Sequence, residues 1–473
     1  MRPLPKGERA TYRKVWRGDS AKKRAAVSGG SYNFFIERRK KPMEYEESLE
    51  YIANFPRFKK EPSLEEMKRL LERLGNPQEK IRSINVAGTN GKGSTVAMLA
   101  SVLSTAGYKT GRYISPYVLE FRERMMINGK MIGKKRLAKI VETVKKEADA
   151  LLEQGTMLNA FEITTACAML WFAEENCDFV VLEAGMGGRF DATNTVPEPV
   201  LQIITAVGLD HTEILGDTLA KITEEKCGIL RPGCTLLTSP GQDQEVLTTM
   251  LNKCAELDAT FVTGAAGRAK IVSEDVSGMD ILVGKTELSL SLGGKHQINN
   301  LLTVYSAVSI LREKHFVIKD EHLVEGIAAT KFPARFELCS KEPVVILDGA
   351  HNPQAAKALA VNVREFLPEK RILLCGMMAD KDCETVMAEL APCFEHVITV
   401  PVQNPRMVAP EKLAEMASKY CRNVEAKENA KEALAETLEN LKDDEALVVA
   451  GSLYLASELR PMLMKFKGNP NQK

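Results

Sequence analysis

A chain of 473 residues is longer than one ordinary core organises, so two or three domains are expected, and its 44% hydrophobic content is enough to fill them. No run of about 18 apolar residues occurs and the first residues contain no apolar h-region, which excludes a spanning helix and a secretory signal and predicts a cytoplasmic protein. The net charge of +1 hides an asymmetry: residues 1–41 carry 13 Lys/Arg against 3 Asp/Glu, leaving the rest near −9 and unsuited to nucleic acid.

Residues 1–42 read as a basic leader, a solvated tail containing Arg2, Arg9, Arg13, Lys14, Arg17, Lys22, Lys23 and Arg24. Contact with RNA and an organellar targeting role stay open, although Glu8, Asp19 and the aromatics at 32–35 suit targeting poorly. Ten cysteines without a C-x-x-C pair, several in apolar segments such as Cys167 and Cys375, fit reduced core thiols.

Two amphipathic helices are expected at Tyr45–Phe55 and Ser63–Leu74, the second opening on Ser63 and Glu66 at capping-box spacing. A buried strand then runs into Gly88-Thr89-Asn90-Gly91-Lys92-Gly93-Ser94-Thr95 and a helix from Ser94 to Leu103. Glycines let several backbone N–H groups approach one anion, Lys92 adds a point charge, and the helix directs its positive end at it, which makes a polyphosphate cradle. A plain strand-to-helix turn would also use glycine, but a lysine opposing the helix dipole there calls for an anion. Val86 stands where G-x-x-x-x-G-K-[ST] has its first glycine, so the spacing is short.

Lys109–Ile114 forms the next strand and delivers Ser115-Pro116-Tyr117, where proline stops it. A helix at Phe161–Phe172 and an apolar strand at Asp178–Leu182 follow, the latter ending on Glu183 before Gly185-Met186-Gly187-Gly188-Arg189-Phe190-Asp191. Another apolar run, Val200–Val207, leads to Asp210-His211, after which Asp217 can cap a helix whose last turn holds Lys226 before Gly228. In an open parallel sheet, ligands lie outside the carboxyl ends of strands, where the loop 88–94, Ser115, Glu183 and His211 all fall. Short β-rich pieces over 259–291 predict a small antiparallel sheet, and helix returns at Asn299–Leu311. Beyond Phe332-Pro333-Ala334-Arg335-Phe336 a boundary is expected at 338/339, with strands at Val344–Leu347, Ile372–Cys375, Val397–Val400 and Ala446–Ala450.

The motifs G-T-N-G-K-G-S, S-P-Y, E-R-M-M-I-N-G, F-E-I-T-T, E-A-G-M-G-G-R-F-D-A-T-N, L-D-H-T-E-I-L-G, E-E-K-C-G-I, H-Q-I-N-N, F-P-A-R-F-E, D-G-A-H-N-P and G-S-L-Y occur in that order. Over residues 45–460 the chain resembles the Mur ligase superfamily, and within it the folylpolyglutamate synthase/dihydrofolate synthase family. The resemblance implies an α/β protein with a mostly parallel sheet domain carrying the phosphate loop and a small antiparallel sheet (43–338). A smaller Rossmann-like glutamate-ligase domain (339–473) would follow.

The implied activity is ATP-dependent ligation of L-glutamate to a folate or dihydropteroate through an acyl phosphate, by a monomer with no membrane partner. On the residues that match, Thr89, Asn90, Gly91, Lys92, Gly93 and Ser94 cradle the nucleotide. Asn300 contacts adenine, while Arg335 and Asp348 serve the phosphate end. Ser115, Glu183 and His211 would hold Mg²⁺, with two metal sites and a monovalent cation implied. Lys226 would be carbamylated by carbon dioxide, which needs a neutral amine and hence a depressed pKa; by pattern alone it is a solvated cap favoured by the helix dipole. Lys92, Lys226, Arg335 and His351 carry the catalytic expectation. Phe161, Glu162, Phe190, Asp191, Ala192, His351 and Ser452 carry the substrate one, in which Asp191 meets the pterin edge and Phe161 stacks on its ring. Alternatively, Asp191 caps its own turn and Phe161 is helix core.

Tyr117 departs from the histidine that many members carry after S-P, which would alter the substrate rim. Two rivals are a Mur-type ligase acting on a nucleotide-linked cell-wall precursor and a phosphate-loop kinase or switch.

Overall fold

The first sheet of the computed structural model contains eight strands: β1 (Ser83–Ala87), β2 (Thr110–Tyr113), β3 (Met125–Ile127), β4 (Lys130–Met131), β5 (Phe179–Glu183), β6 (Leu201–Ile204), β7 (Thr235–Thr238) and β8 (Thr260–Thr263). The structure describes residues 42–56, 59, 61–265 and 269–466, so apart from Pro42 the basic leader lies outside the described residues. The spatial order is β4-β3-β2-β5-β1-β6-β7-β8. Pairing is parallel except where β3 runs antiparallel to both β2 and β4. β1 and β5 are buried along their whole lengths, as expected for central strands covered by helices on both faces.

The helix Lys92–Thr105 leaves the phosphate loop and is buried on nearly every side. Met98, Leu99, Val102 and Leu103 are fully enclosed, each worth about 1.5–3 kcal/mol of apolar burial. Close approach is possible because Gly326, on the helix Asp320–Ala328, has no Cβ; one added there would stand 2.5 Å from Val102 Cα.

β9 (Ala269–Asp275), β10 (Gly278–Val283) and β11 (Thr286–Leu290) make the small antiparallel sheet. It is narrower than expected, because 260–263 pairs in parallel with β7 and becomes the edge of the large sheet. The third sheet has the order β12-β13-β17-β14-β15-β16, from β12 (Glu337–Lys341), β13 (Val344–Leu347), β14 (Lys370–Cys375), β15 (His396–Thr399), β16 (Val424–Ala426) and β17 (Glu445–Ala450). Only β12 is antiparallel there, and its span crosses the 338/339 boundary expected from sequence. From the S-P-Y-V segment, Val118 is buried in one core cluster with Ala334, Val345, Leu347 and Val449, so the turn after β2 packs on this third sheet.

Two caps differ from expectation. Helix Glu65–Arg73 starts after Leu64 without a capping box, because Ser63 is one residue too early and its hydroxyl accepts from the Glu65 amide at 3.1 Å. Thr218, not Asp217, caps helix Leu219–Cys227; Asp217 pairs with Lys221 Nζ at 2.8 Å instead. All ten cysteines are free thiols and eight are buried. No helix among the described residues is long and apolar enough to cross a membrane.

Candidate active site

β1 ends at Ala87 and the chain turns through Gly88 (φ 146°) and Gly91 (φ 84°) into the helix at Lys92. Both glycines are required. A Cβ on Gly88 would lie 1.9 Å from Thr205 Oγ1, and one on Gly91 2.2 Å from Asn300 Oδ1. The Thr89 and Asn90 amides are already used, donating to the Ala206 carbonyl at 2.9 and 3.1 Å. The amides left to meet an anion are those of the first turn of the helix, which no preceding carbonyl serves. Gln297 and Asn300 of the H-Q-I-N-N segment prop this turn from below: Asn300 Nδ2 donates to Gln297 Oε1 at 2.8 Å, and Gln297 Nε2 to Ser94 Oγ at 3.2 Å.

Lys92 Nζ folds back onto the Gly88 and Thr89 carbonyls, at 3.0 and 3.1 Å. Lys226, only 2% exposed, donates to the same Gly88 oxygen at 2.9 Å. It is a buried amine rather than a solvated cap. Two ammonium groups thus share one acceptor. Burial, and then the Lys92 charge, push the Lys226 amine down to about 7. Lys92 is lowered too, by burial, with Glu183 and Asp210 opposing.

Glu183 ends β5, the strand beside β1, and is 6% exposed. Its Oε2 accepts from the Ser115 amide at 3.2 Å, its only hydrogen bond among the described residues. Burial raises its pKa, against Lys92, the Ser115 amide, Arg335 and Arg112. A buried carboxylate with one donor beside a phosphate cradle has the hard-oxygen character that Mg²⁺ takes, so Glu183 fits the ion. Ser115 Oγ accepts from Arg124 Nη1 at 3.0 Å. His211, about a third exposed, sits in the left-handed region at φ 51°, and burial lowers its pKa. Among the described residues no three His, Cys, Asp or Glu side chains form a metal group; the predicted trio contains two such side chains and a serine.

Asp348 is buried at the end of β13, accepting from the Phe336 and Ala350 amides at 2.6 and 2.7 Å. Burial raises its pKa, opposed by Arg335. The Arg335 guanidinium lies 5.3 Å from the Phe332 ring centre, and that ring packs on Gly93. His351 Nδ1 donates to the Gly349 carbonyl at 2.7 Å, leaving Nε2 unprotonated. Burial, with the Lys381 charge, lowers this imidazole to about 4, so it is neutral at pH 7.

The sequence reading missed the bridge between the two ends of this site. Asn352 caps helix Pro353–Phe366 and donates to Asn90 Oδ1 at 3.1 Å, while Asn90 donates to Gln354 Oε1 at 2.6 Å. Asp210 accepts from Lys381 Nζ at 2.9 Å and from Asn352 at 3.4 Å. Burial works to raise Asp210, but Lys381 and His211 hold it well below the usual carboxylate range. The available signal was D-K-D at 380–382, just past the end of β14.

The expected substrate residues are more dispersed. Asp191 spends both oxygens inside its own loop: Oδ2 accepts from the Gly185 and Met186 amides, and Oδ1 from the Thr193 amide and hydroxyl. The turn-capping geometry is the one displayed. Phe161 is half-buried, its ring 6.0 Å from Tyr113 and against Gly185. Glu162 is buried, capping its own helix and paired with Lys59 at 2.5 Å. Phe190 is 48% exposed and Ala192 is buried. Ser452 caps helix Leu453–Leu463 through the Tyr454 amide.

Residues 86–308 match the Mur ligase middle domain, and residues 334–453 the Mur ligase glutamate ligase domain. The chain is 34% identical over 430 residues to the dihydrofolate synthase/folylpolyglutamate synthase of Bacillus subtilis, covering 89% of this chain and 99% of that protein. Mycobacterium tuberculosis folylpolyglutamate synthase complexed with ADP superposes with a TM-score of 0.80 at 26% identity, covering 89% of this chain and 99% of that one. Escherichia coli FolC in complex with DHPP and ADP gives 0.78 at 26%, covering 89% and 97%. With the phosphate loop, the two lysines on Gly88 and the buried Glu183 in place, the chain belongs to the dihydrofolate synthase/folylpolyglutamate synthase family of Mur ligases.

Proposed function

We propose that this chain joins L-glutamate to the carboxylate of a folate, and also to dihydropteroate, in a reaction driven by ATP. The observation that carries the reading is the convergence of Lys92 and Lys226 on Gly88 O beside buried Glu183. This arrangement neutralises and aligns polyphosphate without a protein nucleophile.

A substrate carboxylate attacks the γ-phosphorus, ADP leaves, and the glutamate amine then displaces phosphate from the acyl phosphate. Lys92 and the first-turn amides of its helix take the phosphate charge. Arg335 approaches from the Phe332 side. Neutral His351 offers Nε2 to the proton that the attacking amine sheds. Ser115, Glu183 and His211 would hold magnesium, which when bound supplies countercharge to the nucleotide phosphates. With a pKa of about 7, much of the Lys226 amine is neutral at physiological pH. It can add carbon dioxide, releasing one proton and leaving a carbamate; a second magnesium and a monovalent cation would belong to the proposed set, supplying further countercharge when bound.

The chain is read as a nucleotide-binding part (43–338) and a glutamate-ligase part (339–473), bridged at Asn90 and Asn352, in a cytoplasmic monomer. Use of dihydropteroate is argued from the similarity to the Bacillus subtilis dihydrofolate synthase/folylpolyglutamate synthase and to Escherichia coli FolC in complex with DHPP and ADP, not from Asp191, whose oxygens serve its own loop. The test is phosphate release by purified protein with ATP, glutamate and either dihydropteroate or tetrahydrofolate. Release requiring both glutamate and a pteroyl acid supports the reading. Release without glutamate supports a kinase or switch, and release only with a cell-wall nucleotide precursor supports the other ligase.

A further inference from the structure

We propose that Arg112 binds the carboxylate of the acyl substrate, the group that is to be phosphorylated. The inference rests on the ligase reading and adds a residue that none of the motifs above contains. Arg112 is the third residue of β2. Its neighbours Gly111 and Tyr113 face helix Ala160–Glu174, where Gly111 packs on Phe172 and Tyr113 bonds Thr165. Strand alternation therefore turns Arg112 to the opposite face.

There its guanidinium is nearly idle. Nε is buried without a hydrogen-bond partner, and the only hydrogen bond among the described residues runs from Nη2 to Met126 Sδ at 2.8 Å, a weak acceptor. The two carboxylates nearest in charge terms are engaged elsewhere: Glu123 accepts from the Val118 and Leu119 amides, and Glu183 from Ser115. A half-buried guanidinium whose Nε is buried without a partner needs an explanation, and a bound anion supplies one.

Position identifies which anion. Sheet order places β5 and Glu183 between β1, with its phosphate loop, and β2, with Arg112. The Arg112 guanidinium lies 6.0 Å from the centre of the Phe332 ring, which packs on Gly93 and also faces Arg335. An acid attacking the terminal phosphate must approach from the side away from ADP, and Arg112 stands on β2, across Glu183 from the phosphate loop. The phosphates already have Lys92 and the helix amides, and Arg124 donates to Ser115 Oγ, whereas the Arg112 guanidinium donates among the described residues only to a thioether and can serve the incoming carboxylate. A planar guanidinium suits a carboxylate bidentately.

The experiment compares full-length wild type, Arg112→Met and Arg112→Lys with a non-hydrolysable ATP analogue present. Calorimetry measures binding of pteroate and of pteroamide, in which a neutral amide replaces the carboxylate; steady-state kinetics then follow. Arg112→Met should bind pteroate at least about tenfold more weakly, bind pteroamide within twofold of wild type, and leave the KM for ATP within twofold. Arg112→Lys should recover part of the loss. Arg112 is half-buried and its guanidinium makes one weak hydrogen bond among the described residues, so both variants should fold and their melting temperatures should stay close to the wild type's. Equal weakening of both ligands, or of neither, overturns the assignment. Acid-selective binding through Arg112 in a protein that forms no glutamate adduct would overturn the ligase reading and leave the carboxylate site standing.

Discussion

Replacing Lys226 by methionine should end ligation and yet stabilise the unliganded protein. The amine is 2% exposed and falls from 10.5 to about 7 on folding; at 1.36 kcal/mol per unit this is a folding cost of about 5 kcal/mol where the lysine is protonated in both states. Methionine has similar length and no charge. The Gly88 carbonyl keeps Lys92 as a donor, so no acceptor is orphaned. The sign follows from proton counts. Between pH 7 and 10.5 the unfolded chain holds a proton that the folded one has released, so the wild type gains stability as pH rises through that window. The variant should therefore lead by about 3–5 kcal/mol at pH 6, by about half that near pH 9, and by nothing near pH 10.5. For a folded body of this size, that lead at low pH is about 4 °C in melting temperature. Urea unfolding at pH 6, 8 and 10 reads it directly, and bicarbonate at pH 8 should raise the melting point of the wild type alone. A lead independent of pH, or a less stable variant at pH 6, would refute the buried-amine reasoning.

Lys92→Ala should lower ligation by orders of magnitude with an unchanged circular dichroism spectrum, because it removes a cation from the phosphate cradle and no core contact; retained activity would remove the nucleotide assignment. Gly91→Ala should cost several kcal/mol and nucleotide binding together, since its Cβ would meet Asn300 Oδ1 at 2.2 Å and its φ is 84°. Near-normal melting and ATP affinity in that variant would contradict the propped-loop geometry. Lys381→Met takes the ammonium partner from Asp210 and leaves it the Asn352 amide group, the His211 backbone amide and the His211 ring 4.0 Å away. A loss of about 2–4 kcal/mol is expected at pH 7; it should begin to shrink below about pH 4, where Asp210 becomes protonated in the unfolded chain, and go on shrinking toward pH 2 as the depressed pKa of the folded carboxylate is approached; a loss as large at pH 2 as at pH 7 would count against the ion pair.

β1, β5 and β6 were legible because they are buried along their whole lengths and read as largely apolar runs, and Val344–Leu347 was matched at both ends. The phosphate loop was legible because glycine spacing is a backbone requirement, and two of its glycines indeed have no room for a Cβ. β3, β4, β7, β12 and β16 were missed: they are edge strands or short ones of two to five residues, which carry little alternation. Lys226 illustrates the other limit. A last-turn lysine has the same sequence signature whether water or Gly88 O receives it, and only the fold brings the two together. Asp191 likewise reads as a polar group free for a ligand, whereas four donors from its own loop surround it. Arg112 and the pair Asp210–Lys381 stand out only once sheet order and the packing of separate strand ends are known.

The central claim, that the cradle activates a substrate carboxylate by phosphorylation, is tested most directly by oxygen transfer. Dihydropteroate or tetrahydrofolate carrying ¹⁸O in its free carboxylate is turned over with ATP and glutamate, and the released phosphate is analysed by mass. One ¹⁸O atom in each phosphate, formed in step with the glutamyl amide and absent in Lys92→Ala, is the predicted result. Amide formation with unlabelled phosphate would contradict it.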